Sequence, residues 1–122
     1  MLNRLRAHKV SFEHAFDGFI HNVRTQPNFR FHLIATICVV LMGIYFSIST
    51  MEWLVLVFTV NMVLVAEMLN TAIESIVDLI TLERREDARV AKDVSSAMVL
   101  VSAFMATIVG LIVFLPKLLS VL

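Results

Sequence analysis

Cysteine, glycine, proline and charge are all scarce in this chain, and each shortage excludes something. The single cysteine, Cys38, leaves no partner for a disulfide framework or a cysteine metal site. The three glycines, Gly18, Gly43 and Gly110, lie far apart, so neither a Gly-x-x-x-x-Gly-Lys-Ser/Thr loop nor a soluble-kinase glycine loop is present to cradle phosphates. Charged residues make up only 16%, against about 25% in an average soluble domain. Ten basic and ten acidic side chains cancel, so the basic excess that a nucleic-acid protein needs is missing. No uninterrupted apolar stretch precedes Phe31 and no small-residue cleavage site follows it, so no cleaved leader is expected.

What is abundant is apolar surface. Hydrophobic residues are 59% of the 122, and the mean hydropathy is +0.87. A soluble domain this short could not hide so much apolar side chain, and a disordered chain would not contain it. The bilayer is the expected solvent. Cys38, inside an apolar run, is expected to be a small buried hydrophobe.

The pattern predicts an all-α integral membrane domain covering residues 1–122. Three transmembrane helices are expected at about 29–48, 53–80 and 94–115, with an interfacial helix over 1–27. Tyr45, Phe46 and Trp53 suit aromatic anchors around a short turn at 47–52. Pro116 is expected to end the third span. Ser102, Ala106 and Gly110 form a ladder of small residues suited to close helix packing. Phe12, Phe16, Phe19, Ile20 and Val23 recur at helical spacing opposite Glu13, His14, Asp17, His21 and Asn22. That amphipathic helix either anchors the chain or also walls a site, and Pro27 separates it from the first span.

Basic residues set the expected orientation. Arg4, Arg6, Lys9, Arg24 and Arg30 precede the first span, and Arg84, Arg85, Arg89 and Lys92 lie between the second and third. The turn at 47–52 has none. The N-terminus and the 83–93 loop are therefore expected in the cytoplasm.

Four polar residues interrupt the second span: Glu67, Asn70, Glu74 and Asp78. At ~100° per residue they share an arc of roughly 80°, and at ~1.5 Å per residue they extend over about 16 Å. Ionisable groups at bilayer depth cost ~2.5–3.5 kcal/mol even on lenient scales, and they mark function by default. One such carboxylate would suit a proton-coupled exporter working through Glu67. A row of them ending beside a basic-acidic loop suits phosphoryl transfer better. Mg²⁺ takes carboxylate oxygens together with substrate phosphates, and a base must accept the acceptor's proton. A lipid alcohol would enter laterally, and a nucleotide from the cytoplasm.

The run Glu67-Met68-Leu69-Asn70-Thr71-Ala72-Ile73-Glu74-Ser75-Ile76-Val77-Asp78, followed by Ala91-Lys92-Asp93, closely resembles the prokaryotic diacylglycerol kinase/undecaprenol kinase family. The resemblance covers nearly the whole chain. It implies a homotrimeric bacterial inner-membrane enzyme that uses MgATP to phosphorylate a lipid hydroxyl, with its active site on the cytoplasmic side. It implies Glu67 as general base, Glu74 as a metal ligand, and Asn70 and Asp78 as their supports. Glu74, Lys92, Asp93, Glu83, Arg84 and Arg85 are implied to face the nucleotide, with His14 nearby. Asn28, Phe29, Arg30, His32, Glu67 and Ser96 are implied to border the lipid path. Many members carry a metal-binding Glu three residues before the Phe of Asn-Phe-Arg; here it is Gln26, which keeps an oxygen ligand without a charge. The Asn28-Phe29-Arg30-x-His32 segment resembles the undecaprenol branch more than the diacylglycerol branch.

Overall fold

A proline and a capping box mark where two of the helices begin. The computed structural model describes the backbone of residues 2–122 and the side chains of residues 11–122; the side chains of Arg4, Arg6 and Lys9 lie outside them. Four helices follow one another: α1 (Leu2–Thr25), α2 (Pro27–Tyr45), α3 (Thr50–Ile80) and α4 (Glu86–Leu119). Pro27 sits in the first turn of α2, where its missing N–H is no loss. Ser49 caps α3 through a capping box. It accepts from the Glu52 backbone N–H, and Glu52 accepts in return from the Ser49 N–H at 2.7 Å.

Helices α2, α3 and α4 are long and apolar enough to cross a membrane. At ~1.5 Å per residue, α3 and α4 are roughly 45–50 Å long, well beyond the ~30 Å hydrocarbon layer. Their surplus lies beyond the apolar stretch, and it carries the polar residues. The most extensive helix contact is α3 on α4, and α2 and α1 lean against α3.

The apolar core sits at the Trp53 end. Ile48, Leu56, Val113 and Phe114 are buried there, with Phe46, Trp53 and Val109 packed around them. Gly43 makes this packing possible: a Cβ on it would come within 2.6 Å of the Trp53 ring. Lys117 Nζ closes the same end, 2.6 Å from Glu52 Oε1. Ser47 completes the α2–α3 turn with a positive φ of 48°.

Several expectations are corrected. Pro116 does not end the third span, because α4 continues to Leu119. A proline inside a helix costs about 3 kcal/mol, and the Ser120 N–H bond to the Pro116 carbonyl and the Lys117–Glu52 pair hold the turn beyond it. The 83–93 loop is shorter than expected, since α4 already starts at Glu86. Glu86 and Asp87 favour a helix start there, and Arg89 pairs with Glu86 and Asp93 along the same helix. Glu52 belongs to α3 rather than to a turn. Cys38 is exposed, not buried. It shares a stripe with the exposed Ile34, Ile37 and Leu41, as expected when the solvent is hydrocarbon and apolar side chains need not turn inward. Of the small-residue ladder on α4, Ala106 and Gly110 line an apolar cavity together with residues of α2 and α3. A Cβ on Gly110 would meet nothing within 4 Å.

Candidate active site

The buried polar residues, among those described, are Asn22, Glu67, Thr71 and Ser95. All four lie at one end of the bundle, opposite the apolar core. Such groups stay buried only when paired or when a site requires them. Here the side chains of Asn22, Thr71 and Ser95 are each hydrogen-bonded.

Thr71 Oγ1 donates to Asn22 Oδ1 at 2.7 Å, and Asn22 Nδ2 donates to the Gly18 carbonyl. This pair fastens α1 onto α3. Phe19 adds an edge-on contact with Phe29, the most buried aromatic side chain, at 5.4 Å between ring centres. The N-terminal helix is thus held against α2 and α3. Phe12 and Phe16 remain exposed on it, as an apolar stripe facing lipid would be.

On α3 most of the polar row is hydrogen-bonded. Ser95 Oγ donates to Asn70 Oδ1 at 2.7 Å, while Asn70 Nδ2 donates to Glu74 Oε1 at 3.1 Å. Asn70 therefore orients Glu74 and ties α3 to α4. One step further, Lys92 Nζ meets Asp78 Oδ1 at 2.6 Å. Glu67 stands apart. It is 3% exposed, and its Oε1 has no hydrogen-bond partner. The nearest cation-capable group is His32, whose Nε2 is 3.4 Å from that oxygen.

Two cavities flank this row. A polar one of about 260 Å³ is lined by Asn28, His32, Glu67, Asn70 and Ser96, with Val99, Leu100 and Ala103. A basic one of about 450 Å³ lies at the α3–α4 connection, lined by Asp78, Glu83, Arg84, Arg85, Arg89 and Lys92 among others. Glu67, Asn28, His32 and Ser96 are therefore brought together, and so are Glu83, Arg84, Arg85 and Lys92.

Other candidates are placed elsewhere. Arg30 donates to the Val23 and Arg24 carbonyls and so caps the end of α1. Phe29 is fully buried under α1 instead of bordering lipid. Asp93 is paired with Arg89 on the exposed face of α4. His14 is exposed on α1. Gln26 occupies the N-cap of α2, and its amide donates to Thr25 Oγ1, not toward Glu74.

Asn22, Thr71 and Ser95 were not among the expected site residues. Thr71 had a visible signal, since it follows Glu67 by four residues and falls on the same helical stripe. Ser95 could not be told from Ser96 without the rotation of α4.

No group of three or more His, Cys, Asp or Glu side chains converges on one point among the described residues. The described residues thus offer no all-protein metal cage. Glu74, a half-buried carboxylate oriented by Asn70, fits the way Mg²⁺ is commonly held, by one or two carboxylates plus substrate phosphates and waters.

Known proteins share this arrangement of sequence. The profile described as prokaryotic diacylglycerol kinase matches residues 13–114. An undecaprenol kinase of Bacillus subtilis (strain 168) is 40% identical over 116 residues, covering 95% of this chain and 94% of that protein. A diacylglycerol kinase of Synechocystis is 38% identical over 114 residues, covering 93% of this chain and 65% of that protein. A diacylglycerol kinase of Escherichia coli (strain K12) is 33% identical over 83 residues, 68% of each chain. The chain therefore belongs to the prokaryotic diacylglycerol kinase family: it is a bacterial membrane lipid kinase, a phosphotransferase with an alcohol acceptor.

Proposed function

We propose that the enzyme transfers the γ-phosphoryl group of MgATP to the hydroxyl of a membrane lipid alcohol, with undecaprenol favoured over diacylglycerol. One observation carries this reading: a single row of side chains on α3 joins the polar cavity at Glu67 to the basic cavity at Lys92. The undecaprenol preference is supported by the 40% identical relative and by the Asn28-Phe29-Arg30-x-His32 segment.

In this reading Glu67 accepts the proton of the lipid hydroxyl. A buried carboxylate positioned within reach of that proton contributes typically 10²–10⁴-fold. Glu74 would hold Mg²⁺, which supplies charge neutralisation at the phosphates when bound. Gln26 is a lesser candidate ligand. Lys92, Arg84 and Arg85 offer cations to the phosphates, and Glu83 and Asp93 flank them. His14 lies on the exposed face of α1 and makes the weakest claim on the nucleotide. Asn28, Ser96 and His32 border the lipid headgroup, while Asn70 and Asp78 orient Glu74 and Lys92. The basic residues before α2 and around the start of α4 support a cytoplasmic N-terminus with both cavities on that side. The many exposed apolar side chains leave ample surface for a homotrimer within the bilayer.

The direct test offers purified protein in vesicles MgATP with undecaprenol or diacylglycerol separately. Phosphorylated lipid is expected with both, and faster with undecaprenol. A faster rate on diacylglycerol reverses the preference. A protein that forms no phosphorylated lipid but moves solute in response to ΔpH is an exporter.

A further inference from the structure

His32 stands where two cavities meet. It lines the polar cavity beside Glu67 and also an apolar one of about 350 Å³, which runs past Thr36, Val60 and Ala106. The ring is held edge-on by Phe31 at 5.5 Å between ring centres. Its Nε2 faces Glu67 Oε1 at 3.4 Å. That oxygen is the buried side-chain polar atom left without a hydrogen bond among the described residues. A carboxylate oxygen so placed cannot recover water, and leaving it unpaired is costly.

The other charged groups around this spot are engaged. On α2, Arg30 is turned to the carbonyls that end α1. On α3, Glu74 accepts from Asn70, and Asp78 is paired with Lys92 of α4. From α1 the packed group is Asn22, bonded to Thr71. His32, with Nε2 3.4 Å from Glu67 Oε1, is thus in position to complete Glu67.

We propose that His32 is a positioning residue for the phosphoryl transfer: its Nε2–H binds Glu67 Oε1 and fixes the carboxylate, leaving Oε2 for the acceptor hydroxyl. The inference rests on the kinase reading above. As the acceptor oxygen bonds to the γ-phosphorus, the bond from that phosphorus to the β–γ bridging oxygen breaks. ADP departs with that electron pair, and the hydroxyl proton ends on Glu67. The imidazole donates from Nε2–H throughout and takes no part in the proton transfer itself. The separation of 3.4 Å is loose for a hydrogen bond, and catalytic contacts commonly tighten once substrate is bound.

Steady-state kinetics in vesicles test this with His32→Leu and His32→Gln, each made alone and in a Glu67→Gln background. Leucine removes the donor, and glutamine restores an N–H at similar reach. His32→Leu is expected to lower kcat by roughly 10–100-fold, with KM for lipid and ATP little changed. His32→Gln is expected to recover kcat to within a few-fold, and neither change is expected to slow the Glu67→Gln protein further. A raised lipid KM at unchanged kcat would make His32 a wall of the lipid path only. Equal losses with and without Glu67 would show that His32 acts independently of it. If His32→Leu fails to assemble, the assembled His32→Gln protein decides: near-normal kcat supports the donor role, and a large loss overturns it. A wild type that phosphorylates no lipid removes the kinase reading itself, which is a different result.

Discussion

Lys92 of α4 lies 2.6 Å from Asp78 of α3, so the cation expected on nucleotide phosphates is held by a carboxylate across the short connection. The two side chains are 40% and 49% exposed, and pairs this open contribute at most about 1 kcal/mol. Lys92 can therefore exchange Asp78 for a phosphate at little cost. Lys92→Ala is expected to raise the KM for ATP by about tenfold or more while insertion and melting temperature change little. A protein that fails to assemble would make the pair structural.

Glu74→Gln tests the metal. The amide keeps the contact with Asn70 but removes the charge, so the Mg²⁺ concentration needed for half-maximal rate is expected to rise as turnover falls. An unchanged Mg²⁺ titration would take Glu74 out of the metal's coordination.

Glu67→Gln tests the base. Lipid phosphorylation is expected to fall by about 10²–10⁴-fold, with nucleotide affinity little changed because Lys92 and Glu74 remain. Equilibrium nucleotide binding and single-turnover labelling separate the two effects. Lost nucleotide binding would move Glu67 out of the acceptor's pocket.

Thr71→Val removes the donor to Asn22 Oδ1 and leaves that oxygen buried and unpaired. The expected cost is about 1–3 kcal/mol, concentrated where α1 meets α3. Faster amide exchange confined to α1 would report it, and unchanged exchange would show that Phe19 and Phe29 alone hold the helix.

Glycine positions give a paired stability test. Gly43→Ala pushes a methyl into the Trp53 ring and is expected to cost about 1–3 kcal/mol. Gly110→Ala meets open space and is expected to be neutral, or stabilising by up to about 1 kcal/mol from helix propensity. Thermal unfolding in one detergent compares them directly, and equal melting temperatures would show that Trp53 moves aside freely.

By itself the sequence determined the solvent, the number of long helices and the polar row on α3. Each depends on composition or on a helical period of 3.6 residues, which any reader of the chain can count. Glu67, Asn70, Glu74 and Asp78 were legible as one face for that reason. Cys38 was misread because apolarity does not say which way a side chain turns when lipid is the solvent. Pro116 was misread because the turn that outlasts it depends partly on Lys117 reaching Glu52, 65 residues away in the chain. Only the tertiary structure decided which side chains meet: Ser95 with Asn70, Asn22 with Thr71, Lys92 with Asp78, and His32 beside Glu67. Such pairings depend on how each helix is rotated about its axis and how far it slides along its neighbour, and no periodicity within a single helix contains either quantity.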